Sequence, residues 1–95
     1  MKIMSTEDLR QLEVINLCGG ERLGYPCELE IDVSNANVIS IIVGNRSAFP
    51  IFGKKITYAI PWCRIECFGS DAILVRITQV ELSECAREGK KAKKR

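Results

Sequence analysis

The chain has 95 residues, of which 46% are hydrophobic and 27% charged, and its formal net charge is +2. This length predicts one domain with its own core, and the composition excludes global disorder. The sequence contains no run of about 18 apolar residues, the length that a membrane span needs. The first residues also lack the apolar segment of a signal peptide. Because the five cysteines are an odd number and cannot all pair within one chain, we expect a cytoplasmic protein with reduced thiols.

Charge is divided unevenly along the chain. Residues 1–86 contain eight Lys or Arg against eleven Asp or Glu, a net charge of −3, whereas residues 87–95 contain six against one, a net charge of +5. The acidic residues of the body repel phosphate groups, whereas the basic C-terminal segment attracts them. Any contact with nucleic acid is therefore expected at the C-terminus, where the candidate residues are Lys90, Lys91, Lys93, Lys94 and Arg95.

The N-terminal part predicts a short helical turn followed by a strand. Ser5 or Thr6 can cap a helix of one or two turns, with acidic residues in its first turn. A short apolar strand follows at residues 13–17. The glycine pair at positions 19 and 20 then permits the positive φ values of a tight hairpin turn.

A long β-hairpin is the strongest pattern in the chain. Residues 22–32 alternate apolar and polar side chains, and residues 38–43 are apolar on both faces. The polar residues 34–37 can close the turn between them through Asn and Ser side chains. The second arm is expected in the middle of a sheet, and Pro26, which has no N–H, predicts a bulge or an unpaired point in the first arm.

The second half predicts three more strands, at residues 54–60, 64–68 and 72–77, with a short helical corner at residues 61–63. The loop that precedes them carries three large apolar residues, which either cover one end of the core or face a partner. These are Phe49, Ile51 and Phe52. Residues 78–86 favour a short helix or a loose segment over a seventh strand.

These elements predict an all-β fold, a small six-stranded antiparallel barrel or a strongly curled sheet, with a short N-terminal helical turn. We expect the domain to span residues 1–80. Residues 81–95 are expected to form a short helix or loose segment that ends in a flexible, basic, disordered tail.

Five segments occur in a characteristic order: GERLG at 20–24, ELEID at 28–32, IFGKK at 51–55, IPW at 60–62 and FGSDAILVRI at 68–77. They resemble the PRC-barrel domain, and within it the small YlmC/YmxH proteins of spore-forming Gram-positive bacteria. The resemblance covers about residues 5–77 and implies a compact six-stranded barrel. Such barrels also occur in the photosynthetic reaction-centre H subunit and the ribosome maturation factor RimM, where they are docking platforms. The family pattern contains no catalytic residues to transfer to this chain.

The sequence offers little catalytic or metal-binding chemistry. The cysteine spacings x8, x35, x3 and x17 match no zinc motif, and the chain has no histidine. In one strand Cys63 and Cys67 would lie roughly 13 Å apart, whereas a helix over residues 61–66 would bring them together. Serine catalysis lacks a base, and Glu28 and Glu30 fit the solvated face of a strand. We expect no enzyme, no cofactor and no metal.

Two functions remain open from the sequence. The first is a non-enzymatic module that docks on an unknown protein, with Phe49, Ile51, Phe52 and Trp62 as interface candidates, although Trp62 beside Pro61 is also expected to plug one barrel mouth. The second is association with RNA or the ribosome through the basic tail. We also expect a homodimer, because the chain carries more apolar residues than a small barrel can bury.

Overall fold

A computed structural model describes residues 2–44 and 55–89, with the backbone alone at residue 55 and at residues 88–89. Two helices, α1 and α2, and a 3-10 helix accompany seven strands. In chain order the elements are α1 (Thr6–Leu9), β1 (Glu13–Asn16), β2 (Arg22–Asp32), β3 (Asn37–Gly44), β4 (Lys55–Pro61), the 3-10 helix (Trp62–Arg64), β5 (Ile65–Phe68), β6 (Ala72–Val75), α2 (Gln79–Cys85) and β7 (Ala86–Gly89).

The seven strands form one sheet in the order β5-β6-β1-β2-β3-β4-β7. β1 pairs with β6 in parallel, and the other five pairings are antiparallel. The fold of the described residues is therefore mostly β, as predicted. It differs from the predicted six-stranded antiparallel barrel in three respects, because the sheet has a seventh strand, contains a parallel pair and is not closed between β5 and β7.

Both ends of the sheet contribute to one hydrophobic core. Val14 of β1, Ile73 of β6, and Ile41 and Ile60 of β3 and β4 are fully buried members of the same cluster. The two helices have four and seven residues, too few to cover one face of seven strands. We conclude that the sheet curls over its own core, and that the helices add Leu9 and Leu82 to it.

β2 contains an irregularity that increases the local twist of the sheet. Its pairing with β3 shifts register between Pro26 and Glu28, and Gly24 has a φ of 115°. A bulge adds a residue to one strand and increases the local twist, and a positive φ of this size favours glycine. The predicted bulge at Pro26 is thus confirmed.

Both helices begin with a capping box. Ser5 caps α1 and Thr78 caps α2, each accepting a hydrogen bond from the backbone N–H three residues later. The short helix predicted within residues 78–86 is confirmed. No helix within the described residues is long and apolar enough to cross a membrane.

Candidate interaction surface

Trp62 lies at the corner between β4 and β5. The chain turns there through the 3-10 helix, which confirms the predicted helical corner. The indole is half-buried and packs against the core, and its ring centroid lies 5.9 Å from that of Phe68, with the planes inclined by 45°. Aromatic pairs at this distance attract each other beyond the area they bury. Phe68 remains 42% exposed, so the pair connects the core with the protein surface.

Further apolar residues surround this corner. Ser40 pairs with Pro61, so the adjacent positions Ile39 and Trp62 are neighbours at the end of the β3–β4 ladder. Ile31 of β2 pairs with Val38, next to Ile39. Ile31 is 53% and Ile39 51% exposed. We name Ile31, Ile39, Trp62 and Phe68 the end surface.

Paired charges flank the end surface. Arg64 of the 3-10 helix forms an ion pair with Glu81 of α2. Arg76 forms another with Glu66 of β5, at 2.8 Å. Charges that are already paired lower the net field at the rim of an apolar surface, and this arrangement of apolar centre and polar rim is common in protein interfaces.

The structure does not describe the other predicted contact residues. Phe49, Ile51 and Phe52, like Lys90, Lys91, Lys93, Lys94 and Arg95, are outside the described residues.

β3 lies between β2 and β4, the interior position that was predicted. Its outward-facing side chains at Ser40 and Ile42 are buried, so the exposed apolar area of β3 is at its end and not along its second face.

A buried asparagine holds the turn between β1 and β2 against the end of β6. Asn16 Nδ2 donates to Glu21 Oε1 at 2.9 Å and to the Ile77 carbonyl at 3.0 Å, while Oδ1 accepts from the N–H groups of Cys18 and Ile77, both at 3.1 Å. Gln79 donates to the second oxygen of Glu21. We name Asn16, Glu21 and Gln79 the clasp, which the sequence analysis missed because its partners are up to 61 residues apart.

The clasp explains part of the GERLG segment. A Cβ at Gly19, the residue before this segment, would lie 2.8 Å from Glu21 Oε1, so a side chain there would push the carboxylate away from its present position. Gly20 has a φ of 79°, which favours glycine. Glu21 of this segment therefore accepts a hydrogen bond from Asn16, and this part of the segment has a structural role.

An ion pair crosses the outer face of the sheet. Arg87 of β7 donates to Glu30 of β2 at 2.8 Å, and Ser40 Oγ donates to the same carboxylate at 2.7 Å. The strand order places β4 and β3 between the two partners. Hydrogen bonds from Arg87, and secondarily from Ser40, hold the pKa of Glu30 below its usual value. Arg87 is thus anchored to the folded body, although the sequence analysis assigned it to a tail.

The thiols do not form a site in the described part of the chain. None of the five cysteines forms a disulfide, and Cys18, Cys27, Cys63 and Cys67 are exposed. Only Trp62–Arg64 is helical around Cys63, and Cys67 lies in β5, so the helix over residues 61–66 that would unite these thiols does not form. Among the described residues, no group of three or more His, Cys, Asp or Glu is arranged to hold a metal ion.

Comparison with known proteins gives a family. No family model matches the chain. It is, however, 32% identical over 78 residues to the "Probable sporulation protein YlmC" of Bacillus subtilis (strain 168), a match that covers 81% of this chain and 96% of that protein. The chain belongs to the YlmC-like family. A second relative, an uncharacterised protein of Clostridium acetobutylicum, is 35% identical over 71 residues, which are 75% of this chain and 82% of the relative. The YlmC-like part of the sequence resemblance is thereby confirmed.

Proposed function

We propose that this chain is a non-enzymatic protein-docking module of the PRC-barrel type, which works in the cytoplasm of a spore-forming bacterium in support of sporulation. The name of the Bacillus relative supports the biological setting. The observation that carries the docking role is the end surface, where large apolar side chains stay about half exposed beside paired charges. Exposed large apolar residues that the strand register and the Trp62–Phe68 contact place near one another are a feature of interaction sites.

The end surface has the features of an interface anchor. The side chains of its aromatic pair are held in place by packing, because Trp62 contacts the core and Phe68 contacts Trp62. A rigid aromatic anchor loses little conformational entropy on binding, and such residues dominate binding energies. Phe68, Ile39 and Ile31 lie in strands that are already ordered. A partner could therefore bury them without the entropic cost of ordering a flexible segment of this chain.

Substitution of the end surface tests the docking role. Ile39→Asp should abolish capture of protein partners from a lysate of spore-forming cells, since it places a charge among apolar groups. Ile56→Asp is the matched control, because Ile56 is 53% exposed but lies near the opposite end of β4. Circular dichroism verifies that both variants fold. Equal capture by the wild type, Ile39→Asp and Ile56→Asp would contradict a docking role of this surface.

A homodimer is part of the same proposal. The end surface of one copy can cover that of a second across a two-fold axis, and most homo-oligomers of small domains use such a self-complementary patch. Light scattering at micromolar concentrations measures the mass directly. A mass that stays near 10.6 kDa at all concentrations would refute the dimer.

RNA or ribosome association is the alternative, favoured by the basic composition of residues 90–95. Five of the 14 cations of the chain lie there, whereas all 12 acidic residues precede them. A contact through several cations should weaken steeply between low and moderate salt, whereas apolar docking should not. Pull-downs at two salt concentrations, with the full chain and with a chain that ends at Gly89, separate the two. Recovery of only RNA and ribosomes, lost without residues 90–95, would replace the docking proposal.

A further inference from the structure

β7 is an edge strand that contacts the sheet through one neighbour, β4. It pairs with β4 at four positions, from Tyr58–Ala86 to Lys55–Gly89. Ala86 and Arg87 are exposed, and the buried core cluster contains no residue of β7 among those described. Backbone pairing with one neighbour and the ion pair between Arg87 and Glu30 therefore hold it in place.

The sequence of β7 favours a different structure. Ala86, Arg87 and Glu88 are among the better helix formers, whereas Ala, Glu and Gly are depleted in strands. α2 ends directly before them, with no residue between helix and strand. Its N-terminus has a capping box, but its C-terminus has neither glycine nor proline, and Ala86 is simply extended, with φ −68° and ψ 138°. Local preference and observed structure conflict at residues 86–88.

Such a conflict leaves a second conformation in competition with the observed one. In the first, residues 86–89 pair with β4 and Arg87 reaches Glu30. In the second, the same residues continue α2, whose backbone hydrogen bonds replace those made to β4. Gly89 stops the helix, as glycine commonly does.

We propose that residues 86–89 exchange between β7 and a C-terminal extension of α2, so that the protein itself opens and closes the edge of β4. In the extended-helix form the backbone groups of residues 55–58 that face β7 lose their partners. An open edge of this kind is a template for an added strand. The exchange does not depend on the proposed docking function.

Nuclear magnetic resonance of the full chain measures this exchange directly. Carbon chemical shifts of residues 86–88 report the helical fraction, and amide hydrogen exchange reports the opening of β4. The β4 amides that donate to β7, within residues 55–58, should exchange much faster than the β4 amides that donate to β3. The described fold provides this comparison within one strand.

Two variants shift the balance in known directions, and a third serves as their control. Glu30→Gln removes the ion pair without altering residues 86–89 and should raise the helical fraction about two- to fivefold, the effect of one exposed ion pair. Glu28→Gln is the matched control on the same strand, and it should change nothing. Ala86→Val favours the strand and disfavours the helix, so it should reverse the effect of Glu30→Gln in the double variant.

The result that overturns the proposal needs no variant. Amide exchange gives a free energy of opening for each hydrogen-bonded amide of β4. If all of these values in the wild type equal the free energy of global unfolding measured in urea, β7 does not open on its own. Strand-like carbon shifts of residues 86–88 that stay unchanged by Glu30→Gln would overturn it equally. Faster exchange at residues 55–58 together with helical shifts at residues 86–88 supports it.

Discussion

Replacement of Asn16 by alanine removes the centre of the clasp. Asn16 is 0% exposed and Ile77 only 1%, so water cannot replace the two hydrogen bonds that the amide makes with the Ile77 backbone. A buried polar group left without a partner costs about 1 to 3 kcal/mol. With two such groups, Asn16→Ala should lower the free energy of unfolding by about 2 to 6 kcal/mol, a large share of the roughly 5 to 15 kcal/mol of a typical domain.

Urea unfolding followed by circular dichroism measures this loss. Asn35→Ala is the matched control, since the Asn35 amide donates to the Asp32 carboxylate at 2.9 Å on the exposed hairpin turn. Water can solvate the groups left there, so the control should cost less than about 1 kcal/mol. Equal losses for Asn16→Ala and Asn35→Ala would refute the argument from burial.

Asn16→Asp tests the same contacts if the alanine variant does not fold. The new carboxylate cannot donate to Ile77 O, and it faces the carboxylate of Glu21, so its pKa should lie above that of a free aspartate. A carboxyl whose pKa is raised by folding destabilises the folded state at neutral pH, and the loss diminishes as pH falls. The variant should therefore approach the stability of the wild type as pH is lowered from 7 towards 4, and a constant difference over this range would contradict the assignment.

Three further predictions follow from the described contacts. Thr78→Ala removes the side-chain oxygen that caps α2 and should cost about 1 kcal/mol in urea unfolding, whereas Thr78→Ser should cost little. Because the pKa of Glu30 is lowered by its contact with Arg87, its stabilising effect is present at neutral pH and is lost as pH falls below roughly 4; the wild type and Glu30→Gln should then converge in stability, and a difference that persists at pH 3 would be inconsistent. A chain that ends at Gly89 should keep its stability within about 0.5 kcal/mol, while one that ends at Cys85 should lose more, because it lacks the strand paired with β4; equal stabilities would show that β7 contributes nothing.

The sequence by itself determined the local elements. Period-two alternation and turn residues predicted β2 with its observed bounds, Arg22–Asp32, and the bulge at Pro26. Capping residues predicted α1, helix-forming residues indicated a short helix where α2 lies, and Pro61 predicted the corner before β5. These features depend on interactions between residues close in the chain, which a single sequence contains in full.

The tertiary structure alone decided the arrangement of these elements. The parallel pairing of β1 with β6 joins residues about 60 positions apart, and no local pattern distinguishes it from an antiparallel neighbour. Asn16 is an ordinary polar residue until Ile77 and Glu21 surround it. β7 contradicts its own local preference, because pairing with the edge of β4 and the contact of Arg87 with Glu30 outweigh the tendency of residues 86–88 to form a helix. Long-range contacts of this kind override local propensity, since their free energy comes from groups that the neighbouring sequence does not contain.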